Sequence, residues 1–152
     1  MIRRTVPLRR GSKPIQRKAV SRAKRKTFKL PQDQTHKQRV AIANKLWVAL
    51  IRLKEPSGIC PRCFTRRWHD AAHCFAKGPY PGMRFDLDNG APLCRVCHRR
   101  IDSDHQAKLL FFRHYLGAER YARLELMSQA RGKTDVALTI LFLKAQTKEA
   151  RT

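Results

Sequence analysis

The sequence predicts an α+β fold: a small metal-stabilised core built on a hairpin, flanked by α-helices and preceded by a disordered basic arm. Three observations predict it. Cys60-Pro61-Arg62-Cys63 and Cys94-Arg95-Val96-Cys97 form two CxxC pairs separated by thirty residues. Between the pairs lie turn formers and short apolar runs rather than a helical repeat. On either side of them, apolar residues recur at three- and four-residue steps.

The arm comes first. Residues 1–34 are crowded with basic side chains, among them Arg3, Arg4, Arg9, Arg10, Lys24, Arg25 and Lys26, and carry Pro7, Gly11, Pro14 and Pro31 without a sustained apolar period. Residues 1–54 hold seventeen of the 34 lysines and arginines and one acid, Asp33. The whole chain of 152 residues has only 11 acids and a formal net charge of +23. Such a chain seeks polyanions. Nucleic acid is the first candidate, because each phosphate neutralised by a lysine or arginine releases condensed counterions. An anionic membrane fits less well, since no strongly amphipathic basic helix with an aromatic face stands out. No stretch approaches the length of a membrane span and the opening MIRRTVPLRR has no apolar leader, so the expected setting is cytoplasmic.

Residues 35–55 should form a helix. Val40, Ala43, Trp47 and Leu50 recur on one face with Leu46 and Leu53 beside them, and Pro56 ends the run. That stripe is expected to pack on the zinc-bearing core, with Lys37, Arg39, Lys45, Arg52 and Lys54 turned outward. Residues 56–116 make the core itself. Pro56-Ser57-Gly58 turns into the first cysteine pair, residues 68–75 suit a short strand, and Gly78-Pro79-Tyr80-Pro81-Gly82 interrupts regular structure. Asp88-Asn89-Gly90 is a turn, Pro92-Leu93 leads to the second pair, and residues 98–116 read as one helix that puts His98, Asp102 and His105 on a shared face. Residues 117–152 supply two further helices. The first spans 118–129 with Tyr121, Leu124 and Met127 at helical spacing and is closed by Gly132; the second is capped by Thr134 and contains Val136, Ile140, Leu141 and Leu143.

Two residues between cysteines let a tight turn aim both sulfurs at one ion. Cys60, Cys63, Cys94 and Cys97 therefore read as a closed tetrahedral site for a structural Zn²⁺. In a reducing compartment this spacing means metal more often than cross-links. Cys74, the fifth cysteine, reads as a small packed side chain.

The string AAH at 71–73, then DLDN at 86–89, then LCRVCH at 93–98, resembles the HNH, or ββα-metal, endonuclease family. Two CxxC pairs that clamp a hairpin to a helix through zinc also occur in many members. A closer likeness is to the phage Rap/NinG recombination nucleases, whose strings are similar to WHDAAHC, MRFDLDN and CRVC here, and whose segment after the nuclease motif is similar to LGAERYARL; this likeness covers residues 36–145. The resemblance implies a ββα-metal core and metal-dependent cleavage of branched recombination intermediates, such as Holliday junctions and D-loops, with Mg²⁺ or Mn²⁺ as the catalytic ion.

It also implies roles. His73 would be the general base, a neutral imidazole near its ordinary pKa taking a proton from water. Asn89 would tie the loop back to the hairpin, and His98 would hold the divalent cation. Many HNH enzymes place a metal ligand immediately before the base, where this chain has Ala72. The second ligand must come from elsewhere: Asp70, two residues earlier in the strand, is favoured, with Asp102 as rival and His105 as a further possibility. Arg66, Arg67, Lys77, Arg84, Arg95, Arg99 and Arg100 surround these positions as candidate phosphate contacts. Tyr80 and Phe85 are aromatic residues in or beside the loop, with packing beneath Asn89 expected for Phe85.

The resulting expectation is a DNA endonuclease acting on branched DNA, with a homodimer suited to a symmetric junction. Two alternatives stay open. One is a non-catalytic zinc module that binds nucleic acid; the other is an HNH nuclease used in phage genome packaging or homing.

Overall fold

In the computed structural model the described residues are 34–130 and 132–150; the basic arm expected over residues 1–34 lies outside them except for Gln34. Among the described residues, five helices and a two-stranded antiparallel sheet make an α+β architecture. None of the helices is long and apolar enough to cross a membrane.

Helix α1 spans His36–Leu53. Thr35 starts it with a capping box: its hydroxyl oxygen accepts from the Gln38 N–H at 3.3 Å, and the Gln38 side chain accepts from the Thr35 N–H at 2.9 Å. The expected stripe is buried at Ala43, Trp47 and Leu50, joined by Ile51, whereas Leu53 is exposed. Its main partner is not the expected core around the cysteine pairs but the last helix. Ala43, Trp47, Leu50 and Ile51 cluster with Phe85 and with Val136, Ile140 and Leu143 of the last helix, α5 (Val136–Glu149). Two amphipathic helices distant in sequence thus bury their stripes on each other.

The sheet sits between this cluster and a second one. Strand β1 (Asp70–His73) pairs with β2 (Gly90–Leu93) in a register that sets Asp70 opposite Leu93 and His73 opposite Gly90. The period of two sends Ala72, Ala91 and Leu93 into a core with Cys60, Cys94, Cys97, Ile101, Phe112 and Leu124, while Ala71 packs on the α1–α5 cluster. Gly90 is required by close approach: a Cβ there would lie 2.4 Å from the Trp47 ring and 2.6 Å from Ile51.

The helix expected over 98–116 is two helices, α2 (Arg95–Ser103) and α3 (His105–Leu116). Asp104 breaks it with extended dihedrals (φ −127°, ψ 102°) and caps α3 by accepting from the Ala107 N–H at 2.9 Å. The Asp102-Ser103-Asp104 run explains the break, because short polar side chains compete with the helix for its own backbone groups. Gly117, at φ 79°, links α3 to α4 (Ala118–Ser128), which buries Tyr121 and Leu124 but leaves Met127 on the surface. The cap of α5 is Asp135, not Thr134: its carboxylate accepts from the Ala137 and Leu138 N–H groups, while the Thr134 hydroxyl donates to the Pro81 carbonyl at 2.8 Å.

Candidate functional site

The four cysteines of the CxxC pairs converge. In the first pair the Phe64 N–H donates to the Cys60 carbonyl at 2.9 Å and the Cys60 N–H to that of Arg66 at 2.8 Å, so the chain folds tightly around both sulfurs. In the second, Cys94 is the N-cap of α2 and its Sγ accepts from the Cys97 N–H at 3.4 Å. All four Sγ atoms lie within 4.8 Å of one another, and Cys63 and Cys94 are 3.9 Å apart. Four thiolates at about 2.3 Å from a tetrahedral Zn²⁺ stand roughly 3.8 Å apart, so the cluster fits a metal such as zinc. None of the five cysteines is in a disulfide. Hydrogen bonds from Thr65 pull the Cys63 thiol down to about 6, whereas burial pushes Cys97 up to about 12. A cation is what allows all four to ionise together. Burial likewise pushes Cys74 up to about 12, which makes it a packed and unreactive thiol.

The hairpin carries the second group. His73, at the end of β1, stacks on the Trp47 indole with ring centroids 4.1 Å apart and planes 18° from parallel. Its Nε2 lies 3.0 Å from the Arg84 carbonyl. A carbonyl only accepts, so Nε2 carries the proton and Nδ1 keeps a free lone pair. Burial, with Lys77 and Arg84 nearby, lowers His73 to about 4. That corrects the expectation of an ordinary imidazole pKa, and the physical reason is the covering indole of a residue read as plain core.

Asn89 is fully buried and bonded three ways: its amide donates to the Phe75 carbonyl (3.1 Å) and the Met83 carbonyl (2.9 Å), and its oxygen accepts from the Phe75 N–H (2.7 Å). It thereby joins both ends of the loop that returns from β1. Neighbouring elements hold the same turn. Trp47 Nε1 donates to the Asp86 carbonyl, Arg123 of α4 pairs with Asp88 at 2.6 Å, and Lys54 donates to the Leu87 and Gly90 carbonyls. Lys54 therefore points inward, contrary to the expected outward basic face of α1, and burial lowers its pKa. Phe85 is buried in the α1–α5 cluster, while Tyr80 sits edge-on against Phe75 at 5.2 Å.

His98 stands between two carboxylates. Its Nδ1 is 3.4 Å from Asp70 and its Nε2 is 3.2 Å from Asp102, one turn along α2. Asp70 is also bonded to Arg95 (3.2 Å) and Asp102 to Lys108 (2.8 Å). Partial burial raises the Asp70 pKa, but bonds from Arg95 and His98 outweigh it and hold the carboxyl below the usual range. Cis ligands of an octahedral ion at about 2.1 Å stand roughly 3 Å apart, so either pairing suits a divalent cation with water or phosphate completing the shell. The two pairings use opposite ring nitrogens, and among the described residues only the four cysteines gather three or more donors within 4.8 Å. Ala72 is fully buried in the zinc-side core, so position 72 has no access to such an ion.

His73 and His98 share one open cleft of about 290 Å³, lined also by Ala71, Ala76, Lys77, Asp102 and Lys108. His105 does not join them. The break at Asp104 turns it into a neighbouring cavity with Cys74, Phe75, Tyr80 and Glu125, which removes it as a third ligand on the His98 face. Of the basic residues expected at the site, Lys77 lines the cleft. Arg84 is half-buried over the Phe85 ring, and Arg66, Arg67, Arg95, Arg99 and Arg100 are exposed but are not among the residues that line the cleft. Sequence reasoning missed Lys108, Trp47 as the cover of His73, and Lys54 as a clamp. None of the three had a local signal: Lys108, six residues after Asp102, would face away from it in a continuous helix and reaches it only because the helix breaks at Asp104. Comparison with family models, with curated proteins and with solved structures found no match to this chain.

Proposed function

We propose that this chain is a metal-dependent endonuclease of the HNH type that hydrolyses phosphodiester bonds in DNA, with branched recombination intermediates as preferred substrates and a structural Zn²⁺ at Cys60, Cys63, Cys94 and Cys97. One observation carries the reading: a neutral imidazole with a free Nδ1 and a carboxylate-flanked histidine open into the same basic cleft. His73, oriented by Arg84 and Trp47, takes the proton of an attacking water at Nδ1. A phosphodiester anion entering between Lys77 and Lys108 raises the proton affinity of His73 from its low resting value. His98 with Asp70 or Asp102 would hold Mg²⁺ or Mn²⁺, which supplies charge neutralisation at the phosphate and the leaving oxygen. Asn89 keeps the loop, and so the Arg84 carbonyl, in place.

A zinc module that binds nucleic acid without cutting it is favoured by one observation: among the described residues, no third donor gathers with His98 and either aspartate closely enough to share one ion. Four-way-junction, D-loop and linear duplex DNA incubated with the protein, with and without Mg²⁺ or Mn²⁺, separate the readings. Cutting that needs the ion and is lost in His73→Ala supports the nuclease; binding without cutting under every condition leaves the module. Equal cutting of linear duplex removes the preference for branched DNA and favours packaging or homing. A homodimer would present two clefts to a symmetric junction, and the exposed Leu138, Leu141 and Phe142 of α5 are the face we assign to it, checked by sedimentation of the protein alone.

A further inference from the structure

The first cysteine pair is followed by an aromatic ring that the fold leaves largely in solvent. Phe64 follows Cys63 directly, has a φ of 55°, and is the sole described non-glycine residue in the left-handed region. The turn demands that conformation, since the Phe64 N–H must reach the Cys60 carbonyl while the chain doubles back to bring Arg66 onto the Cys60 N–H and Arg67 opposite Ile59. Glycine meets the demand without a Cβ clash; phenylalanine does not. Nor does burial compensate, because 74% of Phe64 is exposed. The turn uses the conformation, which a glycine would supply without strain, but the ring itself is left in solvent and packs little inside the fold.

The neighbouring positions in the chain are cationic. Arg62 is hydrogen-bonded to Cys97, Arg66 and Arg67 are exposed, and no acid occurs between Pro56 and His69. The second pair repeats the pattern in weaker form, with Val96 50% exposed beside Arg95, Arg99 and Arg100. An exposed apolar face in a run rich in arginine and free of acids matches one ligand chemistry, a nucleobase whose phosphates lie to either side. In a duplex each base face is already covered by its neighbour, so the matching base is unpaired. A membrane surface fits less well, because one ring without adjoining apolar area buries too little in a bilayer.

We infer that Phe64 is a stacking contact for an unpaired nucleobase, in a single strand or at a branch point, with Arg66 and Arg67 on the flanking phosphates. This rests on the reading that the chain acts on nucleic acid, but not on its cutting it.

The test uses the zinc-loaded full chain without added Mg²⁺ or Mn²⁺, titrated against labelled single-stranded DNA, RNA of the same sequence, duplex DNA and anionic vesicles. Phe64→Gly relieves the turn and removes the ring, so it should melt higher than wild type by roughly 4 °C. It should nevertheless bind single strands on the order of tenfold more weakly, with duplex binding unchanged and Phe64→Tyr like wild type. Preference for the DNA or the RNA strand identifies the source of the base. The inference is overturned if Phe64→Gly binds single strands as tightly as wild type, loses single strands and duplex equally, or melts lower. Phe64-dependent binding confined to vesicles overturns it in favour of a membrane. Cutting is scored separately with Mg²⁺: a wild type that never cuts removes the nuclease and leaves the stacking contact standing, whereas insensitive binding by an active enzyme does the reverse.

Discussion

At Asn89 a single amide closes the loop between the strands, donating to two carbonyls and accepting from one N–H with no access to water. Asn89→Asp keeps the shape but turns the two donors into a charged acceptor facing the Phe75 and Met83 carbonyls. The expected cost is roughly 3 kcal/mol in urea denaturation, because buried acceptors are left unpaired beside an uncompensated charge. A variant as stable as wild type would show that the clamp does not hold the loop. His73 makes a second prediction. Its folded pKa of about 4 lies below the unfolded value near 6.5, so in that window the unfolded chain binds more protons. The contribution of His73 to stability is therefore constant above about pH 6.5 and is lost as pH falls toward 4. In NMR titrations the ring should keep the signals of a neutral, Nε2-protonated imidazole from about pH 8 down to about pH 5; a midpoint near 6.5 would mean that the Trp47 stack does not exclude water.

The elements divide the work between two supports, a cysteine cluster that fits a metal and an apolar helix pair. The cysteine turns hold the start of β1 and the start of α2, while α1 and α5 press on the opposite side of the hairpin. Removing zinc should therefore separate Asp70 from His98 before it separates Trp47 from His73. Elemental analysis should find one zinc per chain, and Cys97→Ser should lower both the metal content and the melting temperature, since the binding energy of such a site is folding energy. Gly90→Ala tests the other support. The added methyl meets Trp47 and Ile51 inside contact distance, and about 1–3 kcal/mol of stability should be lost with zinc content intact. Much of this architecture was legible in the chain: the spacing at Cys60, Cys63, Cys94 and Cys97, the stripe of α1, and the turn at Asp88-Asn89-Gly90 are local patterns. What was not legible depends on distance. The pairing of α1 with α5 joins residues far apart in sequence, Lys54 looks like any basic surface residue until Leu87 and Gly90 are brought to it, and His105 shares the face of His98 only if Asp104 continues the helix. The cap at Asp135 was open to view, one residue after the threonine read in its place.

Across the whole molecule, charge sets the salt dependence expected of the proposed DNA binding. Residues 1–33 hold twelve lysines and arginines against one acid, a large part of the net +23, while the candidate site residues His73, Asn89 and His98 all lie later in the chain. Binding strength and chemistry should therefore separate. Each phosphate contact made by a basic side chain steepens the dependence of log K on log salt by about 0.9 on duplex DNA. A chain lacking residues 1–33 should bind duplex DNA more weakly at low salt, with a slope shallower by several such increments, and should lose little at high salt, where counterion release no longer drives association. On the proposed function, the shortened chain keeps His73 and His98, so its cutting rate at saturating DNA should equal that of the full chain, with only the half-saturating DNA concentration raised. His73→Ala should do the opposite, leaving the slope unchanged and abolishing the rate. An unchanged slope in the shortened chain would place the phosphate contacts on the folded part instead, at Arg66, Arg67, Arg99 and Arg100, and would reduce the arm to a solubilising tail.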